Sequence, residues 1–80
     1  MSRTEIEEQV RNFLIEDFEI DEDKIYPEAR LKEDLDIDSL DFVDIVVIVD
    51  KLFGVKLKKE EMTGVDNLAK FCDFIKSKIS

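Results

Sequence analysis

Residues 34–53 read DLDIDSLDFVDIVVIVDKLF, an acidic segment that passes directly into a long apolar run. Four carboxylates and one hydroxyl, that of Ser39, lie within the first eight of these residues. Ser39 stands where the acidic segment ends and the apolar residues begin. We expect it at or next to the start of a helix, because Ser and Asp oxygens accept hydrogen bonds from the free N–H groups of a first turn. A hydroxyl in that position is open to another molecule.

The apolar run that follows Phe42 could form either a helix or a strand. Its valines and isoleucines are β-branched, which favours a strand. The only other alternating segment is residues 55–57, and a lone pair of strands is marginally stable at best. A β-branched residue lowers helix propensity by only about a few tenths of a kcal/mol, which burial can offset. We therefore predict a helix over residues 38–53, with Gly54 as its C′ residue.

Amphipathic helices are predicted at both ends of the chain. The first begins near Thr4, which forms a capping box with Glu7, and Ser2 with Glu5 offers a second register. The last begins after Asp66 as its N-cap. The apolar residues of both segments recur at helical spacing. They are Ile6, Val10, Phe13, Leu14 and Phe18 in the first helix, and Leu68, Phe71, Cys72, Ile75 and Ile79 in the last.

Two less regular segments join the predicted helices. Residues 19–37 form a long connection, and a connection of that length in a small domain usually has a function. We expect it to pack across the helices through its apolar residues. These are Ile20, Ile25, Tyr26, Leu31, Leu35 and Ile37. A short third helix is predicted over residues 60–63, ended by Gly64. The predicted fold is all-α: a four-helix bundle with three longer helices and a short third one, in a single domain spanning residues 1–80.

The composition limits the classes of partner. The net charge is −9, from 21 acidic and 12 basic residues, so the chain should repel nucleic acid and attract proteins with basic patches. The one cysteine cannot form an internal disulfide, and Cys72 is expected to be a buried thiol. The first residues lack a signal-peptide h-region, and no apolar run is long enough to span a membrane. We therefore expect a cytoplasmic protein.

Several kinds of catalytic or metal site are excluded by the residues themselves. The chain has no histidine, so no imidazole base is present to activate Ser39 as a nucleophile. One cysteine without histidine also excludes a zinc site. The run Asp34-x-Asp36-x-Asp38 begins like a calcium loop, but Ser39 replaces its glycine and Ile45 its bidentate glutamate. We predict no catalytic residue and no metal ligand. Ser39 is better suited to modification by another enzyme.

The run Asp38-Ser39-Leu40-Asp41, with Glu33-Asp34-Leu35 before it and an apolar helix ending at Phe53, resembles the attachment motif of acyl carrier proteins. The similarity covers nearly the whole chain, including its length. It implies that Ser39 carries 4′-phosphopantetheine, which a phosphopantetheinyl transferase (holo-ACP synthase) transfers from coenzyme A. Two positions depart from the family pattern. Asp36 stands where the family usually has glycine, and Phe42 where members often have threonine or another small residue.

The resemblance also implies a recognition surface on the second helix. Asp38, Asp41 and Asp44 are one turn apart on one face, beside Ser39. By the resemblance, recognition depends on Asp38, Leu40, Asp41, Asp44 and Val47. The implied partners are ketosynthases, acyltransferases and other acyl-processing enzymes with basic docking patches. The chain would act as a monomer, without membrane insertion.

The implied function is that of a carrier and not of an enzyme. The chain would hold acyl intermediates as thioesters, in fatty-acid or a specialised acyl or polyketide-type biosynthesis. A peptidyl or D-alanyl carrier is an alternative within the same class. A different class is an acidic helical protein-interaction module without a prosthetic group, in which Ser39 is only an N-cap.

Overall fold

The computed structural model of the protein describes residues 2–62 and 64–79. Its helices are α1 (Arg3–Glu16), α2 (Ser39–Phe53) and α3 (Leu68–Ile79). Two short 3₁₀ turns, Glu22–Lys24 and Lys59–Met62, lie in the connections. The described residues contain no strand, so the all-α prediction is confirmed. The short third helix takes the form of the second 3₁₀ turn, and Thr63, the last residue of that predicted segment, lies outside the described residues.

The start of α1 is set by Ser2. Its hydroxyl accepts a hydrogen bond from the N–H of Glu5 at 3.2 Å, and the Glu5 carboxylate accepts one from the N–H of Ser2 at 3.4 Å. The capping box therefore uses the second predicted register, and the box of Thr4 and Glu7 was wrong. Glu7 pairs instead with Arg3 one turn earlier, at 3.2 Å.

The core lies where α1, α2 and α3 meet the connections. The predicted stripes of the outer helices are buried, apart from Phe18 and Ile79, which pack partly buried against the same core. Beyond the helices, the buried apolar residues are Ala29, Leu35, Ile37, Val55 and Leu57. Tyr26 was predicted to be an anchor of the long connection, but its side chain is 44% exposed. Ala29, fully buried, takes a place in the core that the sequence did not predict.

The long connection is tied to the start of α3 by backbone hydrogen bonds. The N–H of Leu68 donates to the carbonyl of Ala29 at 2.9 Å, and the N–H of Leu31 donates to the carbonyl of Asp66 at 3.1 Å. Asn67 caps α3, because its Oδ1 accepts from the N–H of Lys70 at 2.8 Å. The prediction of Asp66 as N-cap was wrong by one residue, and its carboxylate instead pairs with Lys70 Nζ at 3.1 Å.

Candidate functional site

At the start of α2, either Asp38 or Ser39 could cap the helix, and the structure shows which one does. Asp38 is the N-cap: its Oδ1 accepts hydrogen bonds from the N–H groups of Leu40 and Asp41, both at 3.0 Å. The Asp41 carboxylate accepts from the N–H of Asp38 at 3.4 Å, which completes a capping box. Ser39 is the first helical residue, as expected of a residue at or next to the start.

The hydroxyl of Ser39 is left available by this arrangement. Because Asp38 satisfies the free N–H groups, Ser39 Oγ is not needed as a cap. The side chain is exposed, and it makes no hydrogen bond to any residue that the structure describes. The observed geometry does not support a reading in which Ser39 serves only to cap the helix.

A turn over residues 31–37 comes directly before the start of α2. The N–H of Ile37 donates to the carbonyl of Leu31 at 2.9 Å, and the Ile37 side chain is buried. Between them Asp36 has a φ of 58°, in the left-handed region. Glycine adopts that region without strain, whereas other residues adopt it at a cost and Asp or Asn do so most readily. Asp36 thus occupies a position whose backbone suits the glycine that the family usually has.

Asp34 lies in the same turn, where its role is structural. Its Oδ2 accepts hydrogen bonds from the backbone N–H of Arg30 at 2.8 Å and from Arg30 Nε at 3.2 Å. These bonds, the backbone one first, lower the pKa of the Asp34 carboxyl. The Asp34 carboxylate therefore holds Arg30 and the turn together. Across the described part of the chain, no group of three or more potential ligands is placed to hold a metal.

The predicted recognition residues lie along one side of α2 beside Ser39. Asp38 and Asp44 are exposed and Asp41 is half-buried. Leu40 is 78% exposed and Val47 52%. Large apolar side chains so open to solvent are typical of an interaction surface when acidic groups surround them.

Val43 extends this surface and was missed. Its side chain is 61% exposed. It lies three residues after Leu40 and four before Val47, so helical spacing alone could have found it. The structure therefore places an apolar line, Leu40, Val43 and Val47, among the carboxylates of the same helix.

Ser39 also lines an open groove of about 840 Å³ between α2 and the connections. The lining residues are Leu31, Lys32, Ile37, Asp38, Ser39, Phe42, Glu60, Met62 and Val65. Charged and hydroxyl groups stand beside apolar ones in this set. Such a lining fits a phosphodiester-linked arm, whose phosphate and amides are polar and whose cargo is apolar. Ser39 could hold that arm, and Lys32 is a basic residue in the same groove.

Cys72 is the one thiol of the chain, and it lies on α3, away from Ser39 in sequence. Its side chain is buried, as predicted. Burial raises the pKa of the thiol to about 11, which keeps it protonated and unreactive at neutral pH. A nucleophilic role for Cys72 is therefore not supported.

No helix among the described residues has both the length and the apolar character needed to cross a bilayer.

Comparisons with known proteins point to one family. A family model described as a phosphopantetheine attachment site matches residues 8–75. The chain is 34% identical over 80 residues to an acyl carrier protein of Thermosynechococcus vestitus, covering all of this chain and 99% of the other. It is 42% identical over 65 residues to acyl carrier protein 2 of Ralstonia nicotianae, covering 81% and 80%. It is 46% identical over 63 residues to the acyl carrier protein AcpXL of Brucella melitensis, covering 79% and 68%.

The prosthetic group of such attachment domains is 4′-phosphopantetheine, and their members are carriers rather than enzymes. The match extends over most of the chain, and relatives above 30% identity align with most or all of it. With its helical fold and phosphopantetheine attachment domain, this chain belongs to the acyl carrier protein family.

Proposed function

We propose that residues 1–80 act as one carrier domain that holds acyl groups as thioesters on a 4′-phosphopantetheine arm attached to Ser39. The observation that carries the proposal is the position of the Ser39 hydroxyl. It is exposed at the first residue of α2, free of the capping role that Asp38 fills, and it opens onto the groove. The run Asp38-Ser39-Leu40 also supports Ser39 as the attachment site.

Loading would form one bond and break one bond. Ser39 Oγ bonds to the phosphorus next to the pantetheine part of coenzyme A, the pyrophosphate linkage breaks, and adenosine bisphosphate leaves. The hydroxyl proton passes to a base of the phosphopantetheinyl transferase, since this chain has no histidine to take it. The transferase also supplies any metal ion. This chain needs only to present Ser39 and to bind the transferase.

Once attached, the arm supplies a terminal thiol that holds the acyl group as a thioester. A flexible tether raises the effective concentration of the acyl group at a partner's active site. The acidic side of α2 would bind basic patches on ketosynthases, acyltransferases and other acyl-processing enzymes. Association steered by opposite charges is fast and reversible, which suits a shuttle that serves several enzymes.

An acyl cargo is favoured over a peptidyl or D-alanyl one. The curated relatives are named acyl carrier proteins, and the groove beside Ser39 has apolar lining residues such as Phe42, Met62 and Val65. We propose that the protein serves fatty-acid or a specialised acyl or polyketide-type biosynthesis, in the cytoplasm and as a monomer.

Mass spectrometry tests the attachment site. The protein is incubated with coenzyme A and a broad-specificity phosphopantetheinyl transferase, and its intact mass should increase by one phosphopantetheine group. Ser39→Ala should show no gain. Ser77→Ala is the matched control, because Ser77 is an exposed serine on α3, and it should be loaded like the wild type. Loading of Ser39→Ala would refute the site, and failure of every transferase tried would favour an acidic interaction module.

A further inference from the structure

A phosphate attached to Ser39 would lie beside a helix start whose N–H groups are already in use. An anion at a helix N-terminus ordinarily accepts hydrogen bonds from the free N–H groups of the first turn. Here Asp38 Oδ1 accepts those of Leu40 and Asp41, both at 3.0 Å. The same carboxylate carries a negative charge one residue before Ser39, so it repels a phosphate there. Such a phosphate would therefore be stabilised by a positive charge from another segment of the chain.

The groove at Ser39 contains a positive charge of this kind. Among the described residues that line it, the charged ones are Lys32, Asp38 and Glu60, so Lys32 is the basic member of the set. Lys32 is exposed, and its side chain makes no hydrogen bond or ion pair with any residue that the structure describes. Its ammonium group is therefore available to an anion in the groove.

The backbone of the turn over residues 31–37 keeps Lys32 near the start of α2. The N–H of Ile37 donates to the carbonyl of Leu31 at 2.9 Å, which joins the residue before Lys32 to a residue two positions before Ser39. The side chains of Leu31 and Ile37 line the same groove. The turn thus fixes where the Lys32 side chain begins, while its long flexible stem lets the ammonium group move within the groove.

Arg30, the other basic residue of this segment, has a different task. Its Nε lies 3.2 Å from Asp34 Oδ2, and its guanidinium also pairs with Glu33. Arg30 does not line the groove at Ser39. Arg30 therefore stabilises the turn, and Lys32 is the cation of this segment that is left to bind a ligand.

We propose that Lys32 Nζ binds the phosphodiester of the arm on Ser39 and so holds the first part of the arm on the side of the long connection. This inference rests on the proposed function. A phosphodiester carries one negative charge at neutral pH, and the ammonium group has three N–H donors for its oxygens. Because the pair is exposed, salt screens it and it breaks readily. Lys32 thus restrains the arm between encounters without preventing its release to a partner enzyme.

Phosphorus NMR of the loaded protein tests this, after intact mass confirms one phosphopantetheine group on each sample. The wild type is compared with Lys32→Gln, Lys32→Arg and the matched control Lys56→Gln, which removes an exposed lysine that does not line the groove. At low salt the phosphodiester signal of Lys32→Gln should be narrower than that of the wild type, because its phosphate moves more freely. Lys32→Arg and Lys56→Gln should keep the wild-type line width.

The same spectra at two salt concentrations test the ionic nature of the contact. The screening length is about 30 Å in 0.01 M NaCl and about 3 Å in 1 M NaCl, so the four line widths should coincide at the higher concentration. In the wild type at low salt, a nuclear Overhauser effect should also join the ε-methylene of Lys32 to the pantetheine methyl groups next to the phosphate.

The possible outcomes separate this contact from the proposed function. Equal line widths of the wild type and Lys32→Gln at low salt, or no Overhauser effect, would overturn the contact alone. Equal narrowing in Lys56→Gln would also overturn it, because net charge would then explain the result. Narrowing in Lys32→Arg as well as Lys32→Gln would contradict an ion pair. Absence of any mass gain in the wild type would overturn the proposed function and the contact with it.

Discussion

At the residue scale, Asp38 and Ser39 show how neighbouring polar side chains are given different tasks. Asp38 Oδ1 accepts hydrogen bonds from the N–H groups of Leu40 and Asp41, which follow it in the first turn, while Ser39 lines the groove. The sequence predicted that Ser39 lies at or next to a helix start, and that prediction is confirmed. Which of the two residues caps the helix depends on backbone angles, and composition alone does not reveal it.

Asp36 is the residue whose replacement should reveal backbone strain most directly. Its φ of 58° is left-handed, so Asp36→Gly should be neutral or slightly stabilising, whereas Asp36→Val should cost about 1–2 kcal/mol because of its β-branched side chain. Urea unfolding of both variants measures the difference in free energy of unfolding.

Asp21→Val is the matched control for the loss of an exposed carboxylate. Asp21 has a φ of −62° and a ψ of 136°, an extended conformation that valine adopts readily, and its side chain makes no capping bond. We expect little change in stability. A cost for Asp36→Val no greater than that for Asp21→Val would show that the left-handed conformation is unimportant.

At the scale of elements, α2 is a helix although its sequence is rich in β-branched residues. Its two ends explain much of this. Asp38 caps the start, and Gly54, with a φ of 68°, ends the helix by donating its N–H to the carbonyl of Asp50 at 2.9 Å. Ile45 and Val49 are buried in the core, which offsets the weak helix propensity. The predicted bounds 38–53 therefore differ from the observed helix only at the N-cap.

The acidic side of α2 should govern the rate of loading. Reversing the charges of Asp41 and Asp44 to lysine should slow transfer of phosphopantetheine, and more strongly at low salt. Electrostatic attraction reaches about 30 Å at 0.01 M ionic strength but about 10 Å at 0.1 M. The initial rate of mass gain, measured across salt concentrations, gives the dependence.

The double variant Glu8→Lys with Asp23→Lys changes the net charge equally at exposed positions outside α2. It should slow loading much less, and a melting curve checks that both double variants are folded, because Asp41 also belongs to the capping box. Equal slowing by the two double variants would indicate that only net charge matters.

At the scale of the whole molecule, burial of Cys72 in the core makes the free energy of unfolding depend on pH in the alkaline range. In the folded protein the pKa of this thiol is raised to about 11 by desolvation, from an ordinary value of 9.0. The unfolded chain therefore loses the proton first as pH rises. Below pH 9.0 the thiol contributes fully to the free energy of unfolding. Between pH 9.0 and about 11 this contribution falls, by up to about 1.4 kcal/mol for each pH unit.

Urea unfolding of the wild type and Cys72→Ala tests this. It is measured at several pH values from about 8 to about 11, a range that includes the ordinary and the raised pKa of the thiol. The alanine variant loses packing and will be less stable at every pH, so the slopes with pH are compared and not the absolute values. The wild type should lose more stability than the variant over this range. Parallel curves would contradict the link, since the other titrating groups are common to both proteins.

The core shows where prediction from sequence was incomplete. The spacing of apolar residues predicts the stripes of α1 and α3 because it repeats every turn. The same approach wrongly predicts Tyr26 as an anchor and does not identify Ala29. Alanine is too small to stand out in a pattern of large apolar residues. It is fully buried here because the connection passes close to α3, with the carbonyl of Ala29 bonded to the N–H of Leu68.

The amino-acid sequence by itself determined the three helices, the acidic side of α2 and the position of Ser39 at its start. These are properties of residues within a turn or two of one another, so spacing and capping chemistry reveal them. Only the tertiary structure decided that Asp36 is left-handed and that the long connection bonds to α3. Those features depend on how distant segments pack together, which local pattern does not specify.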